Sequence, residues 1–126
     1  MNLILTRDRL AICQLPHDAA HPVWATSAGA FFSITRTNEE LSIVCREGLA
    51  PPDIKQESGW RAFKVEGPLD FALTGILAAL LDPLAQAGIS VFCVATFNTD
   101  YVLVRDASVD AAINAFREDG HTVIVA

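Results

Sequence analysis

The spacing of apolar residues predicts two helices in the second half of the chain. Six leucines and isoleucines recur at the spacing of one helix face; they are Leu73, Ile76, Leu77, Leu80, Leu81 and Leu84. Asp70 is the predicted N-cap of this helix, and Gly88 is the predicted residue just beyond its end. Pro83 removes one hydrogen bond within it, because proline has no N–H. A second helix is predicted over residues 109–116, with Gly120 as its stop signal.

Strand-like runs surround these two helices. Alternation and β-branched residues predict strands over residues 61–66, 89–96, 101–104 and 122–125. The order of elements over residues 60–126 is therefore predicted to be βαββαβ.

The first half of the chain contains mostly predicted strands. These are Leu3–Thr6, Leu10–Leu15, Phe31–Thr35 and Leu41–Cys45. The first two form either a hairpin or one bent strand, and the last two form a hairpin. Residues 17–28 have room for one or two helical turns. Residues 48–59 contain two prolines, and their apolar residues follow neither the helical nor the strand period, so they are interpreted as a connector.

The two halves share an internal similarity. In sequence, residues 29–37 align with residues 88–96 at a constant offset. With one extra turn residue in the second copy, Glu40 then aligns with Asp100. The first copy has room only for a shortened helix. The predicted organisation is an abbreviated N-terminal half over residues 1–59, including the connector 48–59, and a C-terminal half over residues 60–126.

Composition narrows the class of protein. The chain has 126 residues, of which 52% are hydrophobic and 19% charged, so it can bury a core as one domain or two small units. Its net charge of −6 disfavours nucleic acids and anionic membranes as partners. The three cysteines form no CxxC pair and lie in apolar runs, which predicts buried free thiols. No secretory signal or transmembrane segment is evident, so a cytoplasmic location is expected.

Three segments carry a resemblance to a known family: residues 66–78, 83–90 and 95–104. Residues 60–126 resemble the ACT domain, and the chain resembles the small bacterial tandem-ACT proteins related to CASTOR-type amino-acid sensors. The resemblance implies an α+β, ferredoxin-like fold with two ACT-like halves, the first abbreviated. It also implies a regulatory or sensing role without a cofactor, an amino-acid ligand in the cleft between ACT units, and a homodimer formed through ACT sheets.

The residues themselves suit such a ligand. The loop from Gly67 to Asp70 leads into a helix whose first N–H groups can receive a carboxylate. Asp100 can accept an ammonium or guanidinium group, and Thr96, Asn98 and Thr99 can supply neutral hydrogen bonds. Phe71 and Phe97 can form walls. The ligand-binding residues that the resemblance implies are Gly67, Leu69, Asp70, Thr74, Gly75, Ile76, Thr96, Phe97 and Asp100.

Each candidate has a plainer explanation. Asp70 can serve only as an N-cap and Asp100 only as a turn residue. His17 and His21 have a spacing that can bind a metal on a helix, but Pro22 opposes that geometry, so no metal site is predicted. A ligand-free interaction module is the alternative function. An enzyme is not predicted, since the pair Asp70 and Asp100 is its only candidate machinery.

Overall fold

The computed structural model describes residues 1–26, 31–67, 69–70 and 74–126. The chain forms two compact units: a larger unit of residues 1–7 and 61–126, and a smaller unit of residues 8–60. This division differs from the predicted one, which assigned residues 1–7 to the N-terminal half. The physical reason is that Leu3 and Leu5 are buried in the core of the larger unit.

Short strands precede and separate two helices. In chain order, the elements are β1 (Asn2–Leu5), β2 (Leu10–Leu15), a 3₁₀ turn (Val23–Ala25), β3 (Ser33–Arg36), β4 (Leu41–Arg46), β5 (Lys55–Val65), α1 (Ile76–Gln86), β6 (Val91–Ala95), β7 (Asp100–Arg105), a 3₁₀ turn (Asp106–Ser108), α2 (Val109–Glu118) and β8 (Thr122–Val125). Among the described residues, no helix is long and apolar enough to cross a membrane.

The larger unit has the predicted α+β fold with one added strand. Its elements after residue 60 follow the order βαββαβ, and its strands lie in the order β6-β7-β5-β1-β8. The added strand, β1, is antiparallel to β5 and parallel to β8. One core joins this sheet to α1 and α2, with the rings of Phe63 and Phe116 in edge-to-face contact at 5.1 Å between centroids.

Strands β1 and β2 do not form a hairpin with each other. Each pairs antiparallel with a successive part of β5, so the bent-strand interpretation fits the pairing. Strand β5 begins at Lys55, inside the predicted connector. The connector prediction was wrong for residues 55–59, which belong to a strand. The strand was not recognised because its residues are mostly polar and because an irregularity interrupts the alternation: the register with β2 shifts, and Gly59 adopts a φ of 81°.

The smaller unit has strands in the order β3-β4-β2-β5. Leu41 and Ile43 are fully buried in its core, together with the thiols of Cys13 and Cys45. The predicted short helix is reduced to the 3₁₀ turn. Cys93, in the larger unit, is exposed, so the prediction of a buried thiol there was wrong. It lies on β6, whose one partner strand within the part of the chain that the structure describes is β7.

The hairpins β3–β4 and β6–β7 have turns of the same length. Arg36 pairs with Leu41 in the first, and Ala95 pairs with Asp100 in the second. The same offset of 59 residues therefore holds through both hairpins, and the extra turn residue predicted for the second copy is absent. Residues 29 and 30 of the predicted similarity lie outside the described residues.

Helix α1 starts later than predicted. Its N-cap is Gly75, with a φ of 74°, so Asp70 is not the N-cap. The left-handed backbone of Gly75 interrupts the helical path before Ile76. Gly88, with a φ of 73°, follows the C-terminal end as predicted. The predicted helical position Leu73 lies outside the described residues.

A histidine satisfies the carbonyl that Pro83 leaves without a helical partner. Pro83 lies inside α1 and cannot donate to the carbonyl of Ala79, four residues earlier. Nε2 of His121 lies 3.3 Å from that carbonyl oxygen and donates to it. The His121 side chain is only 8% exposed, and its ring meets the edge of Phe116. This contact ties the middle of α1 to the loop that follows α2.

Candidate functional site

A cavity of about 260 Å³ lies in the larger unit, where the β6–β7 turn meets the start of helix α1. Three parts of the chain line it: the loop after β5, the N-terminus of α1 and the turn. The lining residues are Leu69, Asp70, Gly75, Ile76, Leu77, Thr96, Phe97, Asn98, Thr99 and Asp100. Two of these lining residues, Phe97 and Asp70, are exposed.

Strand alternation explains why Asp100 faces this cavity. Asp100 is the first residue of β7, and Val102 and Val104 follow it on the same side of the strand. Both valines are buried in the core beneath the helices. Asp100 therefore lies on the face of the sheet that the helices cover, at the first position of β7. Its side chain is half-buried and lines the cavity.

The start of α1 lies at the same cavity and has N–H groups without an acceptor in the helix. The amide of Ala79 donates to the Gly75 carbonyl at 2.9 Å, which is the first hydrogen bond of the helix. The N–H groups before Ala79 have no acceptor within the helix, and the N-cap residue Gly75 has no side chain to cap them. Ile76 and Leu77 both line the cavity. This end of α1 is suited to a carboxylate.

The hydroxyl groups of Thr96 and Thr99 are already engaged within the protein. Oγ1 of Thr96 donates to the Thr99 carbonyl at 2.9 Å and accepts from the Thr99 amide at 3.3 Å. Oγ1 of Thr99 donates to the Val65 carbonyl at 2.6 Å, and this side chain is buried. Both threonines therefore shape the turn. The expectation that their hydroxyls supply neutral hydrogen bonds to a ligand stays a prediction, and it is restricted to accepting because both hydroxyl hydrogens are donated within the protein.

The loop after β5 is attached to the turn. The amide of Leu69 donates to the Asn98 carbonyl at 2.7 Å. Gly67 permits this approach, because a Cβ there would lie 3.1 Å from the Asn98 carbonyl oxygen and 3.3 Å from Cβ of Thr99. Gly67 thus packs against the turn and does not line the cavity.

The structure brings most of the predicted site residues together. The predicted residues that line the cavity are Leu69, Asp70, Gly75, Ile76, Thr96, Phe97 and Asp100. Thr74 is exposed and is not part of the lining. Phe71, predicted as a wall, lies outside the described residues. Leu77 was missed as a lining residue; its helix-face spacing marked it only for the core.

The charged groups in the lining are both acidic. Asp70 and Asp100 contribute carboxylates, and no lysine or arginine is among the lining residues that the structure describes. The charge of Asp100 reaches a neighbouring thiol. Partial burial and the Asp100 carboxylate both raise the pKa of Cys93 above its usual value. The cavity lining therefore combines negatively charged side chains with the positive end of a helix.

Comparison with known families gives two matches that meet near, but before, the boundary between the two units. The profile of the ACT domain family matches residues 55–118. A second profile, described as an N-terminal domain, matches residues 8–53. The first match covers most of the larger unit, and the second covers most of the smaller one.

Individual relatives match over most of the chain. The chain is 33% identical over 115 residues to the bovine cytosolic arginine sensor for mTORC1 subunit 1, covering 83% of this chain and 35% of that protein. It thus spans about a third of the length of that relative. A crystal structure of a protein from Agobacterium tumefaciens is 37% identical, with a TM-score of 0.92, and the match covers 99% of this chain and 92% of that one.

A more distant structure shares the fold alone. The regulatory subunit of aspartate kinase from Thermus thermophilus, in its ligand-free form, is 10% identical with a TM-score of 0.64, covering 94% of this chain and 97% of that one. Fold and cavity together define an α+β domain of the ferredoxin-like class with a polar pocket at the start of its first helix. The chain belongs to the ACT domain family.

Proposed function

We propose that the protein is a cytoplasmic amino-acid sensor whose ligand binds in the cavity between helix α1 and the β6–β7 turn. The observation that carries the proposal is the pairing of an open helix N-terminus with the carboxylate of Asp100 in one cavity. An amino acid has a negative carboxylate, which complements the positive helix end, and a positive ammonium group, which complements the Asp100 carboxylate. The names of the arginine-sensor relatives support both the ligand class and the cytosolic location.

Charge balance favours a basic amino acid. The cavity offers two carboxylates, Asp70 and Asp100, and one positive helix end. Arginine and lysine have two cationic groups and one carboxylate, so an acidic lining beside a helix N-terminus favours them over amino acids with an acidic side chain. Because a planar guanidinium can pair with a carboxylate through two hydrogen bonds, arginine is the first candidate.

The remaining lining residues suit the rest of such a ligand. Leu69, Ile76 and Leu77 offer apolar surface for a methylene chain, and Phe97 can stack on a guanidinium plane. Asn98, which was expected together with the two threonines to supply neutral hydrogen bonds, also lines the cavity, and its side-chain amide can donate while the threonine hydroxyl hydrogens are engaged. The volume of about 260 Å³ is enough for one amino acid.

The open side of the cavity favours a site completed by another ACT unit. Phe97 is 80% exposed, and Asp70 is exposed beside it. We propose that a homodimer paired through ACT sheets supplies the missing wall, and that the smaller unit is the abbreviated ACT-like half. A ligand held between units can change their association only if it binds one arrangement more tightly than the other. The role is regulatory and requires no catalytic step.

A thermal-shift screen against the common amino acids at millimolar concentration tests this function. L-Citrulline is the matched control for L-arginine, since it has nearly the same shape without the charge. A ligand at 100 times its dissociation constant stabilises a protein by about 2.7 kcal/mol, which raises the melting temperature of a small protein by several degrees. We expect a shift with L-arginine and little with L-citrulline. A flat screen would reject the sensor and favour the ligand-free interaction module.

A further inference from the structure

We propose that Thr99 is a positioning residue of the cavity, whose buried hydroxyl holds the turn bearing Asp100 in register with the loop bearing Leu69 and Asp70. This inference rests on the proposed function, because it concerns how the same site is kept in shape for its ligand. Thr99 acts through its neighbours and donates its hydroxyl hydrogen away from the cavity, to the Val65 carbonyl.

The hydrogen bond of Thr99 joins two separate parts of the site. Its partner Val65 is the last residue of β5, directly before the loop that leads to Leu69. The O–O distance is 2.6 Å, and Thr99 is 5% exposed, so water does not compete well for this bond. Asp100 follows Thr99 in the chain. The bond therefore fixes the backbone next to the acidic side chain.

Two further contacts transmit this constraint to the loop. The Leu69 amide donates to the Asn98 carbonyl at 2.7 Å, one residue before Thr99. At Gly67, the space for a Cβ is already limited by the Asn98 carbonyl and by Cβ of Thr99. Loop and turn are thus in contact at two positions that follow Val65, Gly67 and Leu69. A shift of the turn would change the distance between Asp100 and the loop.

The smaller unit contains a natural comparison for this turn. Thr37 corresponds to Thr96, and its amide donates to the Glu40 carbonyl at 2.9 Å, as the Thr96 amide donates to the Thr99 carbonyl at 2.8 Å. Oγ1 of Thr37 also accepts from the amide of Glu40, at 3.2 Å. Glu40 therefore occupies the position of Thr99. The same turn forms without a second threonine, so the Thr99 hydroxyl is not needed to make the turn.

The β6–β7 turn, which lines the cavity, has the buried hydroxyl of Thr99. The equivalent β3–β4 turn of the smaller unit has the acidic residue Glu40 at this position. The Glu40 carboxylate accepts from the side-chain amide of Gln14 at 3.3 Å. Since both turns close in the same way, the additional bond from Thr99 serves the attachment of the turn to β5 and its loop. That attachment sets the geometry of the cavity.

The test compares Thr99→Val, which keeps the shape but loses the hydroxyl, with Thr99→Ser, which keeps the hydroxyl. Thr37→Val, which removes a turn hydroxyl at the position equivalent to Thr96, is the control in the smaller unit. Calorimetric titration uses L-arginine as the probe. Loss of a residue that orients a binding group costs about 10- to 100-fold in affinity at metal sites, and we expect about tenfold here for Thr99→Val. We expect less than about threefold for Thr99→Ser and no change for Thr37→Val.

A purely structural role gives a different result. If Thr99→Val lowers the melting temperature but binds L-arginine with the parent's dissociation constant, the positioning role is wrong. Should Thr99→Val fail to fold, Gly67→Ala displaces the same turn by a methyl group, and unchanged affinity in that variant also overturns the proposal. Amide hydrogen exchange distinguishes failure of the positioning role from failure of the proposed sensor function.

If the parent binds no amino acid, the proposed function fails. Exchange of the Leu69 amide that is faster in Thr99→Val and unchanged in Thr37→Val would still support the attachment of the turn to the loop. Equal exchange in the parent and in Thr99→Val would reject that attachment.

Discussion

Asp100 occupies, in the β6–β7 hairpin, the position that Leu41 occupies in the β3–β4 hairpin. Leu41 pairs with Arg36, and Asp100 pairs with Ala95, across turns of equal length. Leu41 is fully buried in its core, whereas Asp100 is half-buried and lines the cavity. An acidic residue thus stands where the same hairpin elsewhere in the chain has a core leucine. This exchange favours a binding role for Asp100 over a structural one.

Replacing Asp100 by leucine should not destabilise the protein. The equivalent position accepts leucine in a core, and Asp100 lies on the helix-covered face beside apolar groups. Because the site is only half-buried, we expect the free energy of unfolding to stay equal or rise by about 1 kcal/mol. Urea denaturation measures this change. The reciprocal variant Leu41→Asp is the control, and it should lose about 3 kcal/mol or more, since it buries a charge without a partner. A large loss of stability in Asp100→Leu would contradict the binding role.

The glycine at the start of α1 should affect both stability and binding. Gly75 and Gly88 have nearly the same left-handed φ, 74° and 73°, and neither has an atom within 4 Å of a built Cβ. Alanine at either position should therefore cost about 1–2 kcal/mol through backbone strain alone. Only Gly75 lines the cavity, so only Gly75→Ala should also weaken binding of L-arginine. Equal affinities in the two variants would show that the start of α1 does not contact the ligand.

The exposed thiol of Cys93 should report the charge of Asp100. Partial burial and the Asp100 carboxylate both raise the pKa of this thiol, which lowers the thiolate fraction at a given pH. Asp100→Asn removes the negative charge, so the pKa should fall and alkylation by iodoacetamide at pH 8 should become faster. Mass spectrometry follows the rate. Cys13 and Cys45 are buried and should react only after unfolding. The electrostatic link is absent if both proteins react at the same rate.

The contact between His121 and α1 should depend on Pro83. His121 donates to the Ala79 carbonyl, which lacks a helical donor because residue 83 is proline. Pro83→Ala restores that donor. His121→Phe, which keeps an aromatic ring beside Phe116, should therefore destabilise the parent more than it destabilises Pro83→Ala, with a coupling of about 0.5–1.5 kcal/mol. Denaturation of the four proteins completes the cycle, and additive effects would contradict the contact.

The second half of the fold could be predicted because its local signals agree with its tertiary structure. The apolar spacing from Ile76 to Leu84 and the final strand at residues 122–125 both appear in the structure. The placement of β1 between β5 and β8 could not be predicted, since strand pairing depends on contacts distant in sequence. The start of β5 was hidden by its polar residues and by the irregularity at Gly59.

The candidate site was predictable in its membership more than in its chemistry. Asp70, Phe97 and Asp100 line the cavity as the resemblance implied. The late start of α1 depends on the left-handed backbone at Gly75, and glycine in a sequence does not specify which backbone region it adopts. The hydroxyl partners of Thr96 also depend on the folded turn. Sequence therefore located the polar groups, while the structure determined which of them remain available.

Calorimetric titration of the parent and Asp100→Leu with L-arginine tests the central claim most directly. L-Glutamate is the charge-reversed control in both titrations. We predict that the parent binds L-arginine and not L-glutamate, and that Asp100→Leu loses at least about tenfold in affinity, or about 1.4 kcal/mol, while its melting temperature does not fall. Equal affinity of the two proteins for L-arginine, or a parent that prefers L-glutamate, would contradict a basic-amino-acid site at Asp100.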